Sequence, residues 1–167
     1  MGALWREIGA AIGQDFSDLR NLAHAVQATV RLLIATLLGG LLGYERQRRG
    51  RPAGMRTHML VALGAAFYML VAEQSGMSLR DLSRVLQGLL TGIGFLGAGV
   101  ILKTEPRREV RGLTTAAGLW LTAALGMAAG LGRLSLAILG AVLALIILVY
   151  LRRFEQTIEP GDKDRPS

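Results

Sequence analysis

The chain alternates long uncharged apolar runs with short segments that hold most of its charge. A bilayer core of about 30 Å is crossed by roughly 20 residues of α-helix. We therefore predict an all-α integral membrane protein whose membrane domain covers residues 21–153. Its five transmembrane helices are predicted at about 21–44, 57–73, 85–102, 112–130 and 134–151. The second run is short, but it has to connect a strongly basic segment to a weakly basic one, which favours crossing.

The first twenty residues have a different pattern. Apolar side chains recur there at helical spacing opposite charged ones, from Trp5 through Ile8 to Leu19. This predicts an amphipathic helix over residues 1–20 that lies in the bilayer interface, or alternatively packs on a neighbouring subunit. No apolar core followed by a small-residue cleavage site is present, so a cleaved signal peptide is not predicted. Residues 154–167 are read as a polar cytoplasmic tail.

The positive charge is concentrated on one side of this arrangement. The chain has 19 Lys and Arg residues, no cysteine and a net charge of +7. Segments 45–56 and 103–111 hold 5 and 4 of these cations, and the C-terminal segment from Arg152 onward holds 4, or 13 of the 19 in all. The positive-inside rule then predicts an outside N-terminus and a cytoplasmic C-terminus. We expect this basic surface to contact anionic lipid headgroups. Nucleic acid is not predicted as a partner, because the cationic segments connect apolar spans and membrane orientation accounts for them.

Glycine is concentrated in the apolar runs, above all between Gly88 and Trp120. In a membrane, glycine lets helix backbones approach closely. We therefore expect the stretch from Gly88 to Trp120 to form a tightly packed centre. The glycines predicted to pack helices are Gly39, Gly43, Gly92, Gly94, Gly97, Gly99, Gly112 and Gly118.

Three blocks, in order, carry a family resemblance. They read RLLIATLLGGLLGYERQRRGRPAGMRTHMLVALGAAFYML from Arg31, GIGFLGAGVIL from Gly92 and VRGLTTAAGLWLTAALGMAAG from Val110. Together they resemble the MgtC/SapB family of bacterial inner-membrane proteins. The resemblance implies a role in growth under magnesium limitation and, in pathogens, in survival inside host cells. It also implies regulation of other membrane machinery, including the ATP synthase. Many relatives carry a soluble C-terminal domain that is not seen here, so the short SapB-like form is the nearer likeness.

The polar residues in and beside these blocks are the candidates for function. They are Arg31, Glu45, Arg46, Arg56, His58, Thr91, Arg111, Thr114 and Thr115. Arg31 either extends to the outer interface or pairs with an acidic group at depth. Glu45 forms either a surface ion pair or a buried pair with Arg56 or Arg111. His58 is either an interfacial residue or a pH-responsive group or ligand. The three threonines are expected to bond backbone groups where helices bend or begin.

The sequence does not favour a magnesium site. Mg²⁺ prefers one or two carboxylates together with retained water, but Glu45 and Glu73 are predicted at opposite membrane faces. Neither a metal site, nor a cofactor, nor a catalytic set is predicted, so an enzyme is not expected. The leading hypothesis is a regulator of another membrane assembly, linked to magnesium or ionic stress. The alternative is a small ion transporter or channel with a polar path between spans one to four.

Two kinds of interaction are expected besides contact with lipid. The basic surface is expected to dock an acidic membrane-protein partner or a phosphate ligand. A homodimer is also expected, through faces that carry Gly39 and Gly43 or Gly126 and Gly130.

Overall fold

The computed structural model describes residues 4–9, 22–104 and 109–151. Residues 4–9 are helical. The remainder of the predicted interfacial helix and the predicted cytoplasmic tail lie outside the described residues.

The described chain is helical apart from one short hairpin. Its elements are α1 (Leu22–Arg48), α2 (Met55–Gln74), α3 (Leu79–Val100), β1 (Leu102–Thr104), β2 (Glu109–Arg111), α4 (Leu113–Gly130) and α5 (Leu134–Ile146), which continues as a π-helical turn over Ile147–Leu151. The two strands pair antiparallel, with Lys103 opposite Val110. The segment predicted as a basic turn between the third and fourth spans is therefore partly a β-hairpin.

The helix ends follow local chemistry. Ser78 caps α3 by accepting a hydrogen bond from the Asp81 amide at 3.3 Å. Just after α4, Gly132 adopts φ +72°. The Gly132 amide donates to the Ala129 carbonyl, and the Arg133 amide donates to the Ala128 carbonyl. A left-handed residue just after a helix is normally glycine, since other side chains are strained there. The α4–α5 connection is consequently a tight reversal.

Two apolar clusters meet at α4. The first contains small residues and leucines of α1, α2, α4 and α5, such as Ala35, Leu42 and Leu125. The second joins α2, α3 and α4 around Met69, Ile93 and Ala123. Because α2 and α4 both belong to both clusters, these two helices form the centre of the described fold.

Helix α2 lies in close contact with α1 on one side and α4 on the other. A Cβ atom at Gly39 would lie 2.5 Å from the His58 carbonyl oxygen, and one at Gly43 would lie 2.6 Å from the Cα of Met55. On the α4 side, a Cβ at Gly126 would overlap the Ala62 carbonyl oxygen, and one at Gly130 would lie 2.9 Å from the Cβ of Met69. Only hydrogen fits at these positions, so the backbones touch directly.

This packing corrects the prediction that the glycines after Gly88 form the close-packed centre. Helix α3 turns Ile93 and Gly97 toward its neighbours, four residues apart on one face. A Cβ at Gly97 would make an ordinary 3.6 Å contact with the Ala116 Cβ. By contrast, Gly92, Gly94 and Gly99 are exposed, and no described residue lies within 4 Å of a Cβ placed there.

The same packing corrects the prediction of a dimer face. Gly39, Gly43, Gly126 and Gly130 contact α2 of their own chain, so they do not present a free surface for a second copy.

By length and composition, three helices could cross a membrane: α1, α2 and α4. The helical stretch Leu134–Tyr150 is apolar but shorter. Helix α3 has 22 residues, but Arg80, Asp81 and Arg84 occupy its first turns. The chain is therefore a helical membrane protein, and five crossings remain a prediction.

Replacement of Gly126 by alanine should separate α2 from α4. Overpacking a close contact typically costs about 1–3 kcal/mol, so we expect a lower thermal midpoint for the purified protein in detergent. Gly94→Ala is the matched control, because open space surrounds that position. Equal midpoints for the two variants would contradict the packing described here.

Candidate functional site

The polar side chains of the helix bundle are grouped near its two ends. One group, the Arg31–Glu73 pair, joins α1 to the last turn of α2. The other, the basic cluster, consists of Glu45, Arg46 and Arg49 at the end of α1. His58 and Thr122 lie on the same side of the bundle centre as the basic cluster.

Arg31 connects three helices. Its Nη1 donates to Glu73 and also to the carbonyl oxygen of Gly130, at 3.0 Å. The Arg31 side chain is 14% exposed and that of Glu73 is 46% exposed. A cation near the last carbonyls of a helix is favoured by the helix dipole, and Arg31 occupies this position at the end of α4. Of the two readings of Arg31, the structure supports the paired one, with Glu73 as the acidic group.

Gly132 makes room for this guanidinium. A Cβ at Gly132 would lie 2.7 Å from Nη2 of Arg31, so a larger residue there would displace this guanidinium, and the φ angle favours glycine independently. The pair also borders a cavity of about 360 Å³, which is lined by His24, Gln27, Ala28, Arg31, Leu70, Glu73 and Gln74.

Glu45 is buried, with 8% exposure, and so is Arg46, with 3%. Glu45 pairs with Arg49 one turn along α1 and lies 3.7 Å from Nη1 of Arg46. Arg46 also donates from Nη2 to the Thr115 hydroxyl of α4, at 3.4 Å. The predicted partner Arg56 is exposed, so the buried Glu45–Arg56 pair is wrong. The side chain of Arg111, the other predicted partner, lies outside the described part of the chain.

His58 is fully buried between α1 and α4. Its Nδ1 lies 2.7 Å from the hydroxyl oxygen of Thr122. The Thr122 hydroxyl in turn donates to the Gly118 carbonyl, at 2.8 Å. A Cβ at Gly118 would lie 3.6 Å from Cε1 of His58, so the imidazole rests against α4. His58 is thus a packed core residue rather than an interfacial one.

The other predicted residues lie apart from these groups. Thr91 is exposed, and its hydroxyl donates to the Gln87 carbonyl of its own helix at 2.9 Å. Thr114 is exposed, whereas Thr115 is buried. Gly112 has φ +98° at the start of α4, and a Cβ there would overlap the Val100 carbonyl oxygen. Gly112 therefore allows β2 to turn closely past the end of α3.

Sequence reasoning missed the roles of Glu73 and Thr122. Glu73 could have been matched with Arg31, because consecutive spans run antiparallel, so the first half of span one and the end of span two lie toward the same membrane face. Thr122 lies one helical turn after Gly118, on the same helix face, but a lone threonine in an apolar run gives little signal.

Among the residues that the structure describes, no three His, Cys, Asp or Glu side chains are grouped so that they could hold a metal ion. The polar groups described above are instead engaged in ion pairs and hydrogen bonds that connect helices.

Comparison with known proteins supports the sequence resemblance. Residues 32–157 match the MgtC family. This chain belongs to the MgtC family. Its relatives include SrpB of Synechococcus elongatus, 44% identical over 75% of this chain and 75% of SrpB. Protein MgtC of Brucella abortus is 46% identical over 84% of this chain and 56% of that protein. No solved structure matches the chain.

A third relative is named "Putative magnesium transporter YhiD", from Escherichia coli. It is 41% identical over 71% of this chain and 58% of YhiD. The alignments thus cover three quarters of SrpB but less than two thirds of YhiD and Brucella MgtC.

Arg31→Met should destabilise this MgtC family member more than Glu73→Gln. The first change removes the ion pair and the bond to Gly130, and leaving such groups unpaired typically costs about 1–3 kcal/mol. Glu73→Gln leaves the bond from Arg31 to the Gly130 carbonyl of α4 in place and alters only the half-exposed Glu73 side chain. Thermal unfolding in detergent should show this order, with the exposed Arg84→Met as the control. A larger loss for Glu73→Gln would contradict the role given to Arg31.

Proposed function

We propose that this protein is a regulator of another assembly in the bacterial inner membrane, acting under magnesium limitation or ionic stress. The magnesium link is supported by the name of the YhiD relative and by the role that the MgtC/SapB resemblance implies. The choice of a regulator over a transporter rests on the packing of the bundle.

The observation that carries this choice is the direct backbone contact on both sides of α2. An ion path between spans requires polar groups and space for water at membrane depth. Between the two polar groups, the described core is instead filled by fully buried small and apolar side chains, such as Ala62, Ala66 and Met69. Gly126 brings α4 onto the Ala62 carbonyl in the same region. A hydrated cation has no route through this contact.

The alternative of a small transporter has one observation in its favour. The cavity beside Arg31 and Glu73 is lined in part by polar side chains and is large enough for a small solute. Yet Arg31, which lines this cavity, is engaged in bonds to Glu73 and Gly130 that join helices. The basic end of the bundle would also repel a dication, because Arg46, Arg48, Arg49 and Arg51 are close together there.

We further propose the five-span arrangement with an outside N-terminus and a cytoplasmic C-terminus. It is supported by the charge bias of 13 to 6. In this arrangement the basic cluster faces the cytoplasm and the Arg31–Glu73 pair lies near the outer face. Helix α3 would cross by means of its apolar part, from residue 85 onward.

The surface best suited to a protein partner is the exposed part of the first basic turn. Arg48, Arg51 and Arg56 are exposed, whereas Arg49 is partly buried beside Glu45. Arg48 and Arg51 are therefore free to bind anionic lipid or an acidic partner without breaking the internal pair. The two roles differ in one observable result: if the turn binds a protein, a specific membrane assembly should copurify with the chain, whereas lipid binding alone predicts none.

Affinity capture from native membranes of magnesium-starved cells tests the proposal. We expect a membrane assembly to copurify with the natural chain and to be lost when Arg48→Gln and Arg51→Gln are combined. Arg80→Gln with Arg84→Gln is the matched control, since it removes two exposed cations from the start of α3. Both double variants should fold and insert normally. Equal recovery of the assembly with both would refute docking on the basic turn.

A further inference from the structure

Four buried side-chain atoms near the basic end have no hydrogen-bond partner among the described residues. They are Oε1 and Oε2 of Glu45, Nε of Arg46 and Nε2 of His58. His58 is 0% exposed and Arg46 is 3% exposed. Buried polar atoms in native proteins are almost always bonded, to protein or to ordered water. The two nitrogens, His58 Nε2 and Arg46 Nε, therefore each call for a bonding group.

The tautomer of His58 follows from its neighbour. The Thr122 hydroxyl uses its single hydrogen to bond the Gly118 carbonyl at 2.8 Å. Its oxygen can then only accept from His58, so Nδ1, at 2.7 Å, carries the hydrogen. In the neutral ring Nε2 is then a bare acceptor, which needs a donor.

The direction of Nε2 follows from the ring contacts. Cε1 faces Gly118, while Nδ1 faces Thr122, one turn further along α4. Nε2 lies on the other side of Cε1, so it points back toward the turn that holds Thr115. The Arg46 guanidinium bonds Thr115 from α1. The bare nitrogen of His58 is therefore directed to the part of the bundle where the Arg46 guanidinium bonds Thr115.

We propose that a water molecule is bound in this region and links Arg46 to His58. The bound group has to accept a hydrogen from Arg46 Nε and donate one to His58 Nε2. A simple anion such as chloride has no hydrogen to donate to His58. A cation cannot accept from Arg46 and is repelled by Arg46 and Arg49. Water meets both requirements, and buried waters commonly make about three hydrogen bonds. The Glu45 carboxylate, whose buried oxygens also lack a hydrogen bond of good geometry, offers a further acceptor.

This site would connect α1, α2 and α4, the three helices whose backbones are in direct contact. Arg46 belongs to α1, His58 to α2, and Thr115, Gly118 and Thr122 belong to α4. The water would join the buried charges at the end of α1 to a fixed histidine tautomer in the core. It is distinct from the cavity at the Arg31–Glu73 pair and does not rest on the regulatory function.

Solid-state NMR of histidine ¹⁵N in lipid bilayers tests the site. The chain has two histidines, so His24→Asn leaves His58 as the single reporter. We expect one neutral tautomer with hydrogen on Nδ1, and rapid magnetisation transfer from water to the His58 ring. Hydrogen on Nε2, a doubly protonated ring, or absence of transfer from water would overturn the proposal.

Two variants of Thr122 provide the internal control. Thr122→Val keeps the shape but removes the hydroxyl, so the His58 tautomers should become mixed. Thr122→Ser keeps the hydroxyl and should retain the Nδ1–H form. If Thr122→Val and Thr122→Ser give the same His58 tautomer, then the Thr122 hydroxyl does not determine which ring nitrogen is the acceptor. The argument for the water then fails.

Discussion

The direct contact of α2 with α1 and α4 is the constraint on which the rest of the structure depends. Glycines at 39 and 43 on α1 and at 126 and 130 on α4 remove the side chains that would keep the backbones apart. In a bilayer, apolar burial gives helices little reason to associate, so van der Waals contact between backbones has to supply much of the attraction. Helices α3 and α5 then add to a bundle that these contacts already define.

The location of the charged groups follows from this packing. Because the middle of the bundle is closed, buried charges can be satisfied only toward its ends. Arg31 therefore bonds Glu73 in the last turn of α2 and the Gly130 carbonyl at the end of α4. Glu45 is held by Arg46 and by Arg49 just beyond the end of α1, and Arg46 also bonds Thr115 of α4. The bonds of Arg31 and Arg46 tie helices together rather than line a passage. This is why we favour regulation of a partner over transport by the chain itself.

Much of the fold could be predicted from sequence, because long apolar runs bounded by charge indicate helices directly. The family could also be identified from its motifs. Which glycines pack could not be predicted, since composition does not show which face of α3 meets its neighbours. Gly94 and Gly97 look alike in sequence, yet only Gly97 is buried. The partners of Glu45 were misjudged for a similar reason: pairing with Arg49 depends on helix α1 continuing to Arg48. The link from His58 to Thr122 joins residues 64 apart and depends on tertiary packing.

Magnesium flux into proteoliposomes tests the central claim that the bundle is closed. Purified protein would be reconstituted into vesicles that contain a magnesium-sensitive dye, with protein-free vesicles as the baseline. With an inward Mg²⁺ gradient, and with a membrane potential applied in either direction, the account predicts uptake equal to that baseline. Sustained uptake above the baseline that is abolished by Arg31→Gln would contradict it, because the ion would then have to pass the contact between α2 and α4.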